Sequence, residues 1–137
     1  MEKKITKITA DEIKDSRGNP TLKVTVWSHD LSDSFSVPSG ASTGMQEVVV
    51  VENNQAIFNV QQIIAPALIG QNIENQKELD AIMLSLDGTK NKSNLGGNTI
   101  IGVSIAIAKT AAKVRGQETY QYLKTLAQIK PSHKINS

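Results

Sequence analysis

The spacing of apolar residues changes along this chain from a period of two to a period of three and four, and the change divides it into a strand-forming and a helix-forming part. Leu22, Val24 and Val26 alternate with Thr21, Lys23 and Thr25, the pattern of a strand with one buried face. The turn cluster Ser16-Arg17-Gly18-Asn19-Pro20 precedes it, with Gly18 and Asn19 suited to left-handed angles and Pro20 marking strand entry. Polar His29 to Asp33 is expected to reverse the chain into Phe35-Ser36-Val37. With Ile5 to Ile13 as a first strand, these segments predict a three-stranded antiparallel meander.

Beyond residue 52 the stripe Ile57, Val60, Ile63, Ile64, Ala67, Leu68 has helical spacing, and Pro66 is expected to end or kink that helix near Ile64. A second stripe, Leu79, Ile82, Met83, Leu86, carries Asn75 and Glu78 at the spacing of a capping pair and Asp87-Gly88 as its stop. From Asn98 to Arg115 the chain is apolar nearly all round, so this helix must sit at the centre of the domain. Lys113, Arg115 and Gly116 suit its C-terminal end. A last short helix is expected to turn Tyr120, Leu123 and Leu126 inward. The reading is an α+β domain over 1–127, a three-stranded meander followed by about four helices, and a polar tail over 128–137 expected to be disordered.

Composition narrows the classes. A chain of 137 residues suits one domain with a real core. With 39% hydrophobic, 20% charged and only 4% aromatic residues, that core must be built mainly from Ile, Val, Leu and Ala. Fifteen basic and thirteen acidic residues are scattered, leaving a formal charge of +2 and no basic stripe for nucleic acid. There is no cysteine, which removes disulfides, thiolate metal sites and Cys nucleophiles and suits a reducing cytoplasmic setting. No run approaches the ~20 apolar residues of a membrane helix, and the N-terminus lacks the apolar core of a secretory signal.

Candidate chemistry is concentrated in Val37-Pro38-Ser39-Gly40-Ala41-Ser42-Thr43-Gly44. Gly40 and Gly44 can absorb a hinge motion, and the Ser39, Ser42 and Thr43 hydroxyls can reach an anion or a hard cation. On these residues alone the segment reads either as a ligand-closing loop or as a plain strand-exit turn. Other searches return little. His29 and His133 form no local ligand pair. Glu47 and Glu52, five apart on an extended segment, point to opposite faces. Leu95-Gly96-Gly97-Asn98 opens a helix without the lysine of a phosphate loop, and Gly97 is read as a close-packing residue.

Several stretches together resemble the N-terminal domain of the enolase (phosphopyruvate hydratase) family. They are Asp15 to Thr21, Val37 to Gly44 with Glu47, Ile64 to Gly70, Leu86 to Thr89 with Asn91-Lys92-Ser93, Leu95-Gly96 with Asn98, and Ile101 to Ser104. They run in family order over residues 5–126. The resemblance implies a domain that caps a β/α barrel, with a loop, Ser39, Gly40, Ala41, Ser42 and Thr43, that closes over substrate. It implies Ser42 as a magnesium contact and Ala41 as a lining residue. The lysine base, the glutamate acid and the magnesium carboxylates of the family lie in or just before the barrel, so no catalytic acid or base is expected among these residues.

Two departures accompany the match. A family stretch containing Gly-Lys-Gly-Val is missing after the loop, where Val51-Glu52-Asn53-Asn54 leads almost directly into Ile57. In the family a basic residue of the first strand and an acidic one of the second pair with the partner subunit, whereas the matching positions here are Asp11 and Lys23, both reversed. The expectation is a truncated or split enolase-like cap, inactive alone, with a separate barrel chain or an enolase subunit as partner and homo-oligomerisation as a further possibility. The alternative is a stand-alone interaction or regulatory module of the same descent.

Overall fold

The computed structural model describes residues 3–37 and 49–129. Strands β1 (Lys7–Lys14), β2 (Pro20–Ser28) and β3 (Leu31–Val37) form one antiparallel sheet in the order β1-β2-β3. Helix α1 (Asn53–Asn59) passes through a π-helical turn (Val60–Ile64) into α2 (Ala65–Leu68), followed by α3 (Gln76–Asp87), α4 (Gly97–Val114) and α5 (Thr119–Ile129). Because α1, the π-turn and α2 run on without a break, the helical part comprises four units among the described residues. This is the α+β architecture the hydrophobic periods predict.

The sheet buries Ile8, Ala10, Leu22, Val24 and Val26, and β2 and β3 pack on α4. Helix α4 is the hub: Ile100, Val103, Ala106, Ile107, Ala111 and Ala112 are all buried, as its nearly all-round apolar sequence requires. Its approach to the sheet is set by Gly102, where a Cβ would stand 3.0 Å from Val24 Cγ2 and 3.1 Å from Val37 Cγ2. The buried Thr110 hydroxyl donates to the Val26 carbonyl at 2.9 Å, fixing α4 against β2.

Several local expectations are corrected in whole or in part. The reversal after β2 takes only His29 and Asp30, since Ser28 pairs with Leu31 and residues 31 to 33 already belong to β3. His29 accepts a left-handed φ of 57° to make so tight a turn. Of the two outcomes expected at Pro66, the helix does not end near Ile64 but is locally distorted there: the ladder widens, with the Ala65 N–H donating to the Val60 carbonyl, and the helix continues to Leu68. A wide turn just before proline lets the chain lose one donor and still continue. Asn75 makes no side-chain cap, and Leu86 is exposed while Asp87 takes the buried position. In α5 Leu126 packs against the core as expected, but the buried residue is Tyr122, and Tyr120 and Leu123 are exposed. The Tyr122 ring lies 6.0 Å from the Arg115 guanidinium and its hydroxyl reaches the Glu74 carbonyl at 3.5 Å, contacts that fix the helix rotation.

Candidate functional site

The loop residues Ser39, Gly40, Ala41, Ser42 and Thr43 lie outside the described residues. Both ends of their segment are described, and each is held differently. On the entry side Val37 is paired with Leu22 in the sheet, buried, and packed against Gly102 of α4.

On the exit side, Val49 to Val51 lie against the connection between α3 and α4. The Val49 N–H donates to the Asn91 carbonyl at 2.9 Å, and the Gly97 N–H donates to the Val49 carbonyl at 2.7 Å. Two residues on, the Asn98 side chain grips both sides of Val51. Its Oδ1 accepts from the Val51 N–H at 3.1 Å, and its Nδ2 donates to the Val51 carbonyl at 2.9 Å. A carboxamide has one acceptor and one donor group side by side, so it can stand in for a neighbouring strand. Close packing accompanies the bonds: a Cβ on Gly96 would fall 2.6 Å from Val51 Cγ2. Gly96 thus carries an explicit steric requirement, and the neighbouring buried Gly97 supplies a backbone donor.

The connection at 88–96 is shaped by Asp87, which is only 1% exposed. Asp87 Oδ1 accepts from the Leu95 N–H at 2.7 Å, and Oδ2 accepts from the Thr89 N–H at 3.0 Å and from the Thr89 hydroxyl. Its main-chain carbonyl accepts from Asn94 Nδ2 at 2.6 Å. From the other side, buried Asn59 of α1 donates to the Leu95 carbonyl at 3.0 Å. Burial pushes the Asp87 carboxyl up, but the hydrogen bonds from Leu95, Thr89 and Asn94 outweigh it and leave the pKa below the ordinary 3.8. Burying a carboxylate without such donors would cost several kcal/mol.

Asp87 was legible in the sequence only as a helix stop, although one signal was present: Leu79, Met83 and Asp87 recur every four residues, which puts a carboxylate on the buried stripe. Asn98 and Asn59 carry no comparable mark, because their partners lie 47 and 36 residues away in sequence.

The described residues do not fit a complete magnesium site. No group of three or more His, Cys, Asp or Glu side chains among them could hold a metal ion, and the oxygens of Asp87 are occupied by donors. Ser42 would add a single hydroxyl. No helix among the described residues is long and apolar enough to cross a membrane. Asp11 and Lys23 stand directly opposite each other in the β1–β2 register. They alternate with core residues and so face away from α4, and the two charges are complementary across the strands.

Comparison with known proteins gives a consistent result. The family model described as "Enolase, N-terminal domain" matches residues 5–123. The chain is 47% identical over 134 residues to Enolase B of Dictyostelium discoideum, covering 90% of this chain and 30% of that protein. It is 46% identical over 129 residues to the enolase of Thermococcus kodakarensis, with 87% and 30% covered. It is 47% identical over 126 residues to the enolase of Pyrococcus furiosus, with 85% and 29% covered. The chain therefore spans about 30% of the length of the curated relatives it matches.

Proposed function

Because the chain belongs to the enolase N-terminal domain family, we propose that it is the capping domain of an enolase-type phosphopyruvate hydratase, with the segment containing Ser39 to Thr43 covering the substrate. The family reaction is the magnesium-dependent dehydration of 2-phosphoglycerate to phosphoenolpyruvate, a step of glycolysis in the cytoplasm. On this reading the residues present bind and shield. The acid, the base and the carboxylates that hold magnesium come from a barrel outside these residues, with Ser42 contributing one oxygen to the metal.

The observation that supports this reading best is the mounting of the loop. One end leaves a sheet packed on the central helix, and the other leaves a stem held by four hydrogen bonds at Val49 and Val51. A segment meant to cover a ligand gains by having both ends fixed, because less ordering remains to be done on binding. The test has two parts. The purified 137-residue chain, free of host enolase, should not turn over 2-phosphoglycerate. A chimera carrying residues 5–123 in place of the matching domain of the Pyrococcus furiosus enolase should turn it over. A folded but inactive chimera would overturn the capping role.

The reversed pair Asp11 and Lys23 favours a second reading, a stand-alone interaction module. Reversal alters what the outer sheet face attracts while keeping the two strands compatible. Such a module would bind a purified enolase in a light-scattering titration, and exchanging the two charges would abolish the binding.

A further inference from the structure

The two edges of the sheet are treated differently. The edge of β1 meets α1 and the π-turn: Gln61 Nε2 donates to the Ala10 carbonyl at 3.3 Å, and Asn53 Nδ2 donates to the Glu12 carboxylate at 2.9 Å. Strand β3 is the other edge, and no strand among the described residues pairs with its outer side. A two-residue turn closed by Ser28 and Leu31, with Val26↔Asp33, Val24↔Phe35 and Leu22↔Val37 beyond it, commits the main-chain groups of Leu31, Asp33, Phe35 and Val37 to β2. Those of Ser32, Ser34 and Ser36 therefore point out of the sheet.

Such an edge is a template for another strand. The side chains on its solvent face do not oppose one, because Ser32, Ser34 and Ser36 are small and uncharged. The strand can also pair with itself: in an antiparallel copy centred on Ser34, Ser34 meets its own counterpart and Ser32 meets Ser36.

Two side chains oppose the pairing from the core side. Asp33 alternates with Phe35 and Val37, which pack into the core, so its carboxylate is an inward-directed charge in the middle of an edge strand. It stands 3.9 Å from Lys109 Nζ and 3.9 Å from Lys113 Nζ of α4. Asp33 Oδ1 also accepts from the Ser34 N–H at 2.8 Å, and Lys113 Nζ donates to the Ser32 carbonyl at 2.8 Å. Both main-chain groups are ones that an incoming strand needs. Ion pairs this long, on lysines 32% and 50% exposed, add little to stability. Stability therefore does not account for gathering these charges at the edge.

We propose that Asp33 and Lys113 guard the edge of β3, and that without them a second copy of this chain adds across it as an antiparallel strand, Ser34 against Ser34. In the guarded chain the incoming copy must first break the two bonds to Ser32 and Ser34. It must also set its Phe35 against the Asp33 carboxylate and strip that charge of water, which is unfavourable. Association of the parent chain, where it occurs, then uses a face other than this edge. None of this depends on the capping role.

The test uses the 137-residue chain. Asp33→Val with Lys113→Met removes the carboxylate and the ammonium while keeping apolar bulk. The mass measured by light scattering should double relative to the parent. Exchange protection at the Ser32, Ser34 and Ser36 amides should rise by about tenfold or more, with Val24 and Val103 unchanged. Adding Ser36→Pro removes an edge N–H without touching the ladder to β2 and should return the mass to that of the parent. An unchanged mass, or a doubled mass that survives Ser36→Pro or leaves the serine amides unprotected, would overturn the guard. If Asp33→Val does not fold, Asp33→Thr, uncharged and suited to a strand, replaces it with the same expected pattern. Because the chain has no cysteine, Ser34→Cys reads the register directly: a short thiol crosslinker should join two copies of the unguarded variant and not of the parent. Equal crosslinking in both would also overturn the proposal.

Discussion

Replacing Gly96 by alanine tests the packing of the stem quantitatively. Gly96 has φ 94° and ψ 134°, a conformation that residues with a side chain rarely adopt, and forcing one into it costs about 1–3 kcal/mol. The added Cβ would also stand 2.6 Å from Val51 Cγ2, 2.8 Å from Asn98 Oδ1 and 3.1 Å from Val51 Cγ1. Side chains and backbone must shift to make room, for a further cost of about 1–3 kcal/mol. The two effects together predict a loss of roughly 2–6 kcal/mol, a large part of the stability of an ordinary domain. Gly18 provides the control, because its φ is also positive, at 83°, but nothing lies within 4 Å of a Cβ there. Gly18→Ala should therefore cost only the backbone contribution, about 1–2 kcal/mol. Urea unfolding of both variants, analysed with a shared slope, gives the two losses directly. Equal losses, or a loss at Gly96 below about 1 kcal/mol, would refute the claim that the stem is sterically locked against Gly96.

Other expectations follow from the charged and buried groups. Asp87→Asn should lose about 2–3 kcal/mol at neutral pH. Since the folded pKa of Asp87 lies below its ordinary 3.8, its contribution is present above that pH and is lost as pH falls further. The parent and variant unfolding curves should accordingly converge in acid, and a constant gap would contradict the assignment. Burial, together with the nearby Glu74 carboxylate and against the opposing pull of Arg115, pushes Tyr122 from 10.0 to about 12. Its contribution is intact below pH 10 and declines as pH rises toward 12, so Tyr122→Phe should remove that alkaline loss from the stability profile. An unchanged alkaline profile in the variant would speak against a buried phenol. In the active chimera Ser42→Ala should sharply reduce turnover and weaken its dependence on magnesium, and undiminished activity would remove Ser42 as a metal contact.

The turns and helix rotations show where sequence reading stops. The His29 to Asp33 segment is polar enough for a loop, but the sheet register admits only two residues between Ser28 and Leu31. Periodicity gives the width of an apolar stripe on a short helix better than its direction. In α5 the choice between Tyr120 and Tyr122 was made by Arg115 and Glu74, which stand outside the helix. Asp87 is the clearest case, because a carboxylate is stable at a buried position only when donors converge on it. Those donors come from Thr89 and Leu95, beyond the end of its own helix.

By itself the sequence determined the meander, the central place of α4 and the family, because alternating residues, an all-round apolar helix and motifs in fixed order are local properties of the chain. Tertiary structure alone decided which polar side chains are structural. The grip of Asn98 on Val51 and of Asn59 on Leu95 exists only once segments 47 and 36 residues apart are brought together. Hydrogen-bond satisfaction at a buried site is a property of the assembled fold, and no period along the chain encodes it.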